Sequence, residues 1–90
     1  MLQITILHEK NKIKVLEIKS VDTLTVLSTF DESTGKIDLE PLKDHIGEKA
    51  MIIHFNFNKE NDFTMFDYEH IKTITKVDID ENGIWFFEYN

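Results

Sequence analysis

"VDIDENGIWFFEY", Val77 to Tyr89, is the stretch whose reading decides the fold. Asp78, Asp80, Asn82 and Gly83 fall on D-x-D-x-N-G, the opening of an EF-hand loop, and the same residues suit the tip of a β-hairpin. An EF-hand needs a bidentate Glu at its twelfth position and a helix on each side. Counted from Asp78, that position is Tyr89, and both flanks alternate as strands do. The hairpin is the expected reading. A looser, β-flanked cation loop built on Asp78, Asp80 and Asn82 is its alternative.

Register then selects the turn. A two-residue Asn82-Gly83 loop sets Val77 against Glu88, a carboxylate on the apolar side. A three-residue loop, Glu81-Asn82-Gly83 with Gly83 left-handed, sets Ile79 against Trp85, Val77 against Phe87, Lys76 against Glu88 and Thr75 against Tyr89. Phe86 then falls on the polar face opposite Asp78. The three-residue loop is the expected one.

The same period of two runs outward through the chain. Leu2, Ile4 and Ile6 share a face, and "HEKN" turns the chain so that Ile6 meets Ile13 and Ile4 meets Val15. The apolar phase flips after Val15, which predicts a β-bulge. "LTVLSTF" gives a strand with Leu24, Val26 and Phe30 on one face, "DESTGK" a turn, and "KIDLE" a return strand. "EPLKDHIG" carries the one helical signal: Pro41 in a first turn, Leu42 and Ile46 four apart, and Gly47 at the end. In "KAMIIHFNF" the expected core face is Met51, Ile53, Phe55 and Phe57, with Leu16, Ile18, Leu27 and Ile52 off the main face. "NKEND" turns, "FTMF" is short, and "HIKTITKVDI" places Ile71, Val77 and Ile79 together before the last strand, "IWFFEY". The expectation is a single mostly-β domain over residues 1–90. It is a small antiparallel barrel or sandwich of about seven or eight short strands, with one short helix at 41–47.

Composition narrows the function. The chain has 90 residues, no Cys, and a formal charge of −7. Without Cys there are no disulfides, thiolate metal sites or Cys nucleophiles, which fits a cytoplasmic protein. All ten basic residues are Lys. An acidic chain without Arg is poorly equipped to grip nucleic acid. No apolar run is long enough to span a membrane, and "MLQITILHEK" lacks the basic start and long apolar stretch of a signal peptide. The single Ala, beside abundant Asn, Ile, Lys and Phe, resembles AT-rich bacterial or phage coding.

No Gly-rich phosphate loop or G-x-S-x-G elbow is present, and no cofactor is expected. His8, His45, His54 and His70 lack helical zinc spacing. A small hydrolase built on His54, Asp67, Glu69 and His70 is the lowest-ranked reading. Two surfaces point instead to protein binding. Six acids lie between Asp31 and Glu48, diluted by Lys36 and Lys43. Asp31, Glu32, Asp38 and Glu40 are the candidates to cover a basic site on a target protein. The final strand is apolar on both faces, with Ile84 and Phe86 as candidate contacts for a partner or a second copy of the chain. The expected function is therefore non-catalytic: an acidic protein-binding domain, inhibitor-like or immunity-like. An assembly subunit that self-associates through aromatic strands is the alternative.

Overall fold

A computed structural model describes residues 1–58 and 60–90. It is mostly β, as the alternation requires, with one short helix. The strands are β1 (Leu2–Glu9), β2 (Lys12–Ser20), β3 (Thr25–Thr29), β4 (Lys49–Asn58), β5 (Phe63–Ile79) and β6 (Trp85–Tyr89). They form one sheet in the order β3-β2-β1-β4-β5-β6, curled into a half-barrel. A 3-10 helix, η1 (Glu40–His45), buries Leu42 against its concave side. No helix among the described residues is long and apolar enough to cross a membrane.

The sheet has six strands where seven or eight were expected, and each difference has a local cause. "FTMF" and "HIKTITKVDI" are one 17-residue strand, because nothing between them breaks it. "KIDLE" does not return as a strand. Asp31 and Lys36 make a lone bridge, after which Asp38 Oδ1 accepts the Glu40 amide at 2.9 Å and turns the chain into η1. The sheet is also not wholly antiparallel: β1 and β4 run parallel, Leu2 beside Ala50 through His8 beside Asn56. The excursion through β2, β3 and η1 supplies the long crossover that a parallel neighbour needs.

That pairing decides which face is inside. Leu2, Ile4 and Ile6 lie beside Ala50, Ile52 and His54, and all six are buried. Met51, Ile53, Phe55 and Phe57, the expected core face, lie on the opposite, half-buried side. Ile52 and Ile18, expected off the main face, are fully buried.

Bulges set the curvature. Between Thr5 and Ile6 the β1–β2 register slips, leaving Leu16 as the extra residue. Val15 and Ile18, three apart, therefore both face inward, which an unbroken strand forbids. The phase flip read from the sequence is this bulge. The "HEKN" loop is tighter than expected: Ile6 meets Val15, and Ile13 meets His8. In β5 a bulge at Thr75 lets Ile74 and Val77 both reach the core, while Ile71 and Ile79 stay exposed. A second slip, at Asp67, lies in the β4–β5 ladder. A straight strand of this length would run roughly 56 Å at about 3.3 Å per residue. The molecule's longest dimension is 39 Å, so β5 has to bend. Leu24, expected within a strand, sits in the preceding turn at φ 56° and is exposed. Of the "NKEND" turn, Lys59 lies outside the described residues.

Candidate functional site

The Val77–Tyr89 hairpin has the three-residue loop. Gly83 N–H donates to Asp80 O at 3.0 Å, Asp80 N–H to Ile84 O at 2.9 Å, and Gly83 takes φ 77°. Ile79 pairs with Trp85, Asp78 with Phe86, Val77 with Phe87 and Lys76 with Glu88. Only the last expected pair differs: the Thr75 bulge gives Tyr89 to Ile74. The D-x-D-x-N-G acids serve the turn. Asp80 Oδ1 accepts from the amides of Asn82 and Ile84, at 2.8 and 2.9 Å, and Asp78 Oδ1 from that of Ile79 at 2.8 Å. These are Asx-type contacts in which the side chain stands in for backbone. Among the described residues, no group of three or more His, Asp or Glu side chains is disposed to hold a metal ion.

The acidic residues are likewise partly absorbed by turns. Asp31 Oδ1 accepts from Ser33 N and Oγ at 2.9 and 2.6 Å, and these bonds hold its carboxyl below the usual range. Asp38 is committed to the Glu40 amide. Asp31 and Asp38 line one surface hollow, Glu32 and Ile84 the next, and Lys36 borders both. Glu40 lies apart, on η1. Lys14, ion-paired with Glu9 at 2.8 Å, lies over the Phe30 ring beside Glu32. This surface is mixed in charge rather than a uniform acidic field. Phe86 is partly exposed, with Lys76 Nζ 5.5 Å from its ring centre.

Two features emerge that sequence reasoning missed. The first is an edge. β6 pairs with β5 only from Ile74 onward, and Asn90 closes on Thr73. Among the described residues, Phe63–Lys72 has β4 on one side and no strand on the other. Phe63, Met65, Phe66, Tyr68 and Ile71 along it are all large and exposed, Phe66 at 57%. With the end of β4 it forms a two-stranded ribbon, stiffened by an edge-to-face contact of Phe55 and Phe66 at 6.0 Å.

The second is a row of imidazoles on three adjacent strands. His8 Nε2 lies 2.7 Å from His54 Nδ1, and His54 Nε2 lies 3.1 Å from His70 Nε2. His54 is 3% exposed and stacks on Tyr68 at 4.3 Å, while His70 packs edge-on to Tyr68 and Tyr89. Burial, then the neighbouring His8 and His70, holds the His54 pKa below the ordinary histidine value. The two nitrogens of His54 point to different neighbours, so the row is a chain and not a convergent ligand set. Asp67 and Glu69, grouped with His54 and His70 in the hydrolase reading, hydrogen-bond no imidazole. Asp67 acts on His54 only through space. The parallel β1–β4 register joins His8 to the pair, and no sequence spacing announces it.

No protein-family model, curated protein or solved structure matches the chain.

Proposed function

We propose that the protein is a non-catalytic protein-binding domain that adds an extended, basic segment of a partner to the open edge of β5. The carrying observation is the edge Phe63–Lys72, unpaired on one side and lined by large apolar side chains. Unpaired amides and carbonyls in a long strand are a template for another strand, and natural proteins blunt such edges with Lys, Pro or short length. The other two outer strands, β3 and β6, are blunted by being five residues long. The β5 edge has no Pro, and its one Lys stands at its end. In strand addition, main-chain bonds supply affinity and alternate side chains supply selectivity.

Charge selects the partner. Residues 60–72 hold four acids, Glu60, Asp62, Asp67 and Glu69, and one base, Lys72, and the whole chain carries −7. Two copies pairing through β5 bring these acids alongside one another. A segment with Lys or Arg between apolar residues neutralises them.

The test is chemical-shift mapping of the ¹⁵N-labelled chain with a blocked peptide of about five Val-Lys repeats. The expected changes fall on Phe63–Lys72 and its β4 partners, and the Val-Glu peptide binds at least about tenfold more weakly. Changes centred on Asp31–Glu40, or no binding, refute the edge reading. A concentration-dependent dimer through β5, seen by light scattering, replaces the basic partner with a second copy.

A further inference from the structure

The His8–His54–His70 row ends inside the edge just described, since His70 belongs to Phe63–Lys72 and Tyr68 stacks on His54. Each contact in the row needs one N–H and one lone pair. The neutral row meets this with its N–H groups pointing one way along it. One added proton also fits. A cationic His54 donates at both nitrogens to bare Nε2 atoms, and a cationic His8 donates to His54, which donates onward to His70. A second proton does not fit. If His8 and His70 are both cationic, each Nε2 carries hydrogen, and His54 has a lone pair for only one. If His54 and His8 are both cationic, two N–H groups meet at 2.7 Å. The row must part at one contact.

Little nearby offsets that charge. Facing the row are His8 from β1, Asp67, Tyr68 and His70 from β5, and Tyr89 from β6. β2 brings Ile13 and Val15 to the adjoining cavity of about 270 Å³, and the segment before η1 brings Leu39, none of them charged. Among the described residues, Asp67 is the counter-charge that acts on His54 and contributes least among the influences on it, while the hollow at the His8 end holds Glu9 and Glu60 with Lys10 and Lys12, acids and bases in equal number.

We propose that the row makes β5 a proton-gated docking strand: a second proton parts His54 from a neighbouring imidazole, loosens Tyr68 and His70, and releases the strand bound at the edge. This rests on the edge-pairing reading, whereas the one-proton limit of the row stands without it. In model peptides carboxylates titrate at about 4 and Lys at about 10, outside the interval in which histidine changes charge. A change of affinity between pH 7.5 and 5.5 therefore reports on histidine.

Two measurements separate the gate from the docking. Amide exchange on the free chain needs no partner. Protection over Phe63–Lys72 is expected to fall at least about tenfold on going from pH 7.5 to 5.5, after correction for intrinsic rates, while Ile4 and Ile52 change little. In His54→Phe, which keeps a ring against Tyr68 but cannot titrate, the fall should vanish. His45→Gln, on η1, should behave as the native chain. The Val-Lys peptide should bind at least about tenfold more weakly at pH 5.5 in the native chain and equally at both pH values in His54→Phe. Should His54→Phe fail to fold, ring-proton titration of the native chain decides: the loss of edge protection must accompany proton uptake by a second of the three imidazoles, not by the first. Unchanged protection at pH 5.5, or a fall that persists without His54, overturns the gate. Absence of peptide binding at pH 7.5, with the exchange result intact, overturns the docking reading and leaves a proton-sensitive strand.

Discussion

The two halves of β5 are one strand with two fates. Phe63–Lys72 has a single neighbour, and its large side chains are mostly exposed. Thr73–Ile79 runs beside β6, is held on its other side by Lys49 at Thr73 and by Gly47 and Glu48 at Ile74, and buries Ile74 and Val77. Hydrophobicity does not separate them, since the exposed half carries the aromatics. Neighbours do. The Thr75 bulge re-aims the second half so that Ile74 and Val77 meet the core. Gly47, Glu48 and Asn90 satisfy its backbone at Thr73 and Ile74. The first half leaves its outer main chain open. An apolar residue therefore reports core or contact only once the strand beside it is known.

The largest expected effect tests that contrast directly. Ile74→Ala should cost about 2–5 kcal/mol, from lost burial and the cavity left behind. Phe66→Ala, at an exposed position, should cost under about 1 kcal/mol while weakening the Val-Lys peptide. Urea unfolding of both variants measures this, and equal losses would erase the distinction between the halves.

Next is the turn that holds β6 against the buried half. Gly83→Val should cost about 1–3 kcal/mol in the same assay. The cause is conformational, because an added Cβ would meet nothing closer than Lys36 Nζ at 3.8 Å, yet a β-branched residue resists φ 77°. A silent Gly83→Val would mean that the loop is not left-handed there.

The pH profile comes third. The folded pKa of His54 lies below its unfolded value, so the unfolded chain binds the proton more readily. Its contribution to stability is whole above about pH 6.5 and is lost as pH falls through the folded value, at up to about 1.4 kcal/mol per pH unit. Melting temperatures from pH 8 to 5 should fall less in His54→Phe than in the native chain. Parallel profiles would remove the imidazole row from the stability of β5.

The smallest effect concerns the exposed pair across β5 and β6. Lys76 Nζ and Glu88 are 3.9 Å apart, both more than half exposed. Glu88→Gln should change stability by no more than about 0.5 kcal/mol, and less in high salt. A larger loss would mean that charge, rather than the burial of Val77 and Phe87, fixes this hairpin.

The sequence by itself determined the local chemistry. Alternation made strands, and Pro41 with Leu42 made the short helix. Asp80 and Gly83 fixed the last turn to the residue, and the phase flip at Val15 announced a bulge. Each of these is set by a few neighbouring residues whose geometry is intrinsic. The tertiary structure alone decided what depends on partners distant in the chain. Setting β1 parallel to β4 turned Ile52 and His54 inward and the phenylalanines outward, although both faces of β4 read as apolar. It also aligned three histidines 46 and 16 residues apart in sequence. The length of β6 decided how much of β5 is covered. Strand pairing joins residues by position in the sheet, and no local pattern within a strand encodes which strand lies beside it.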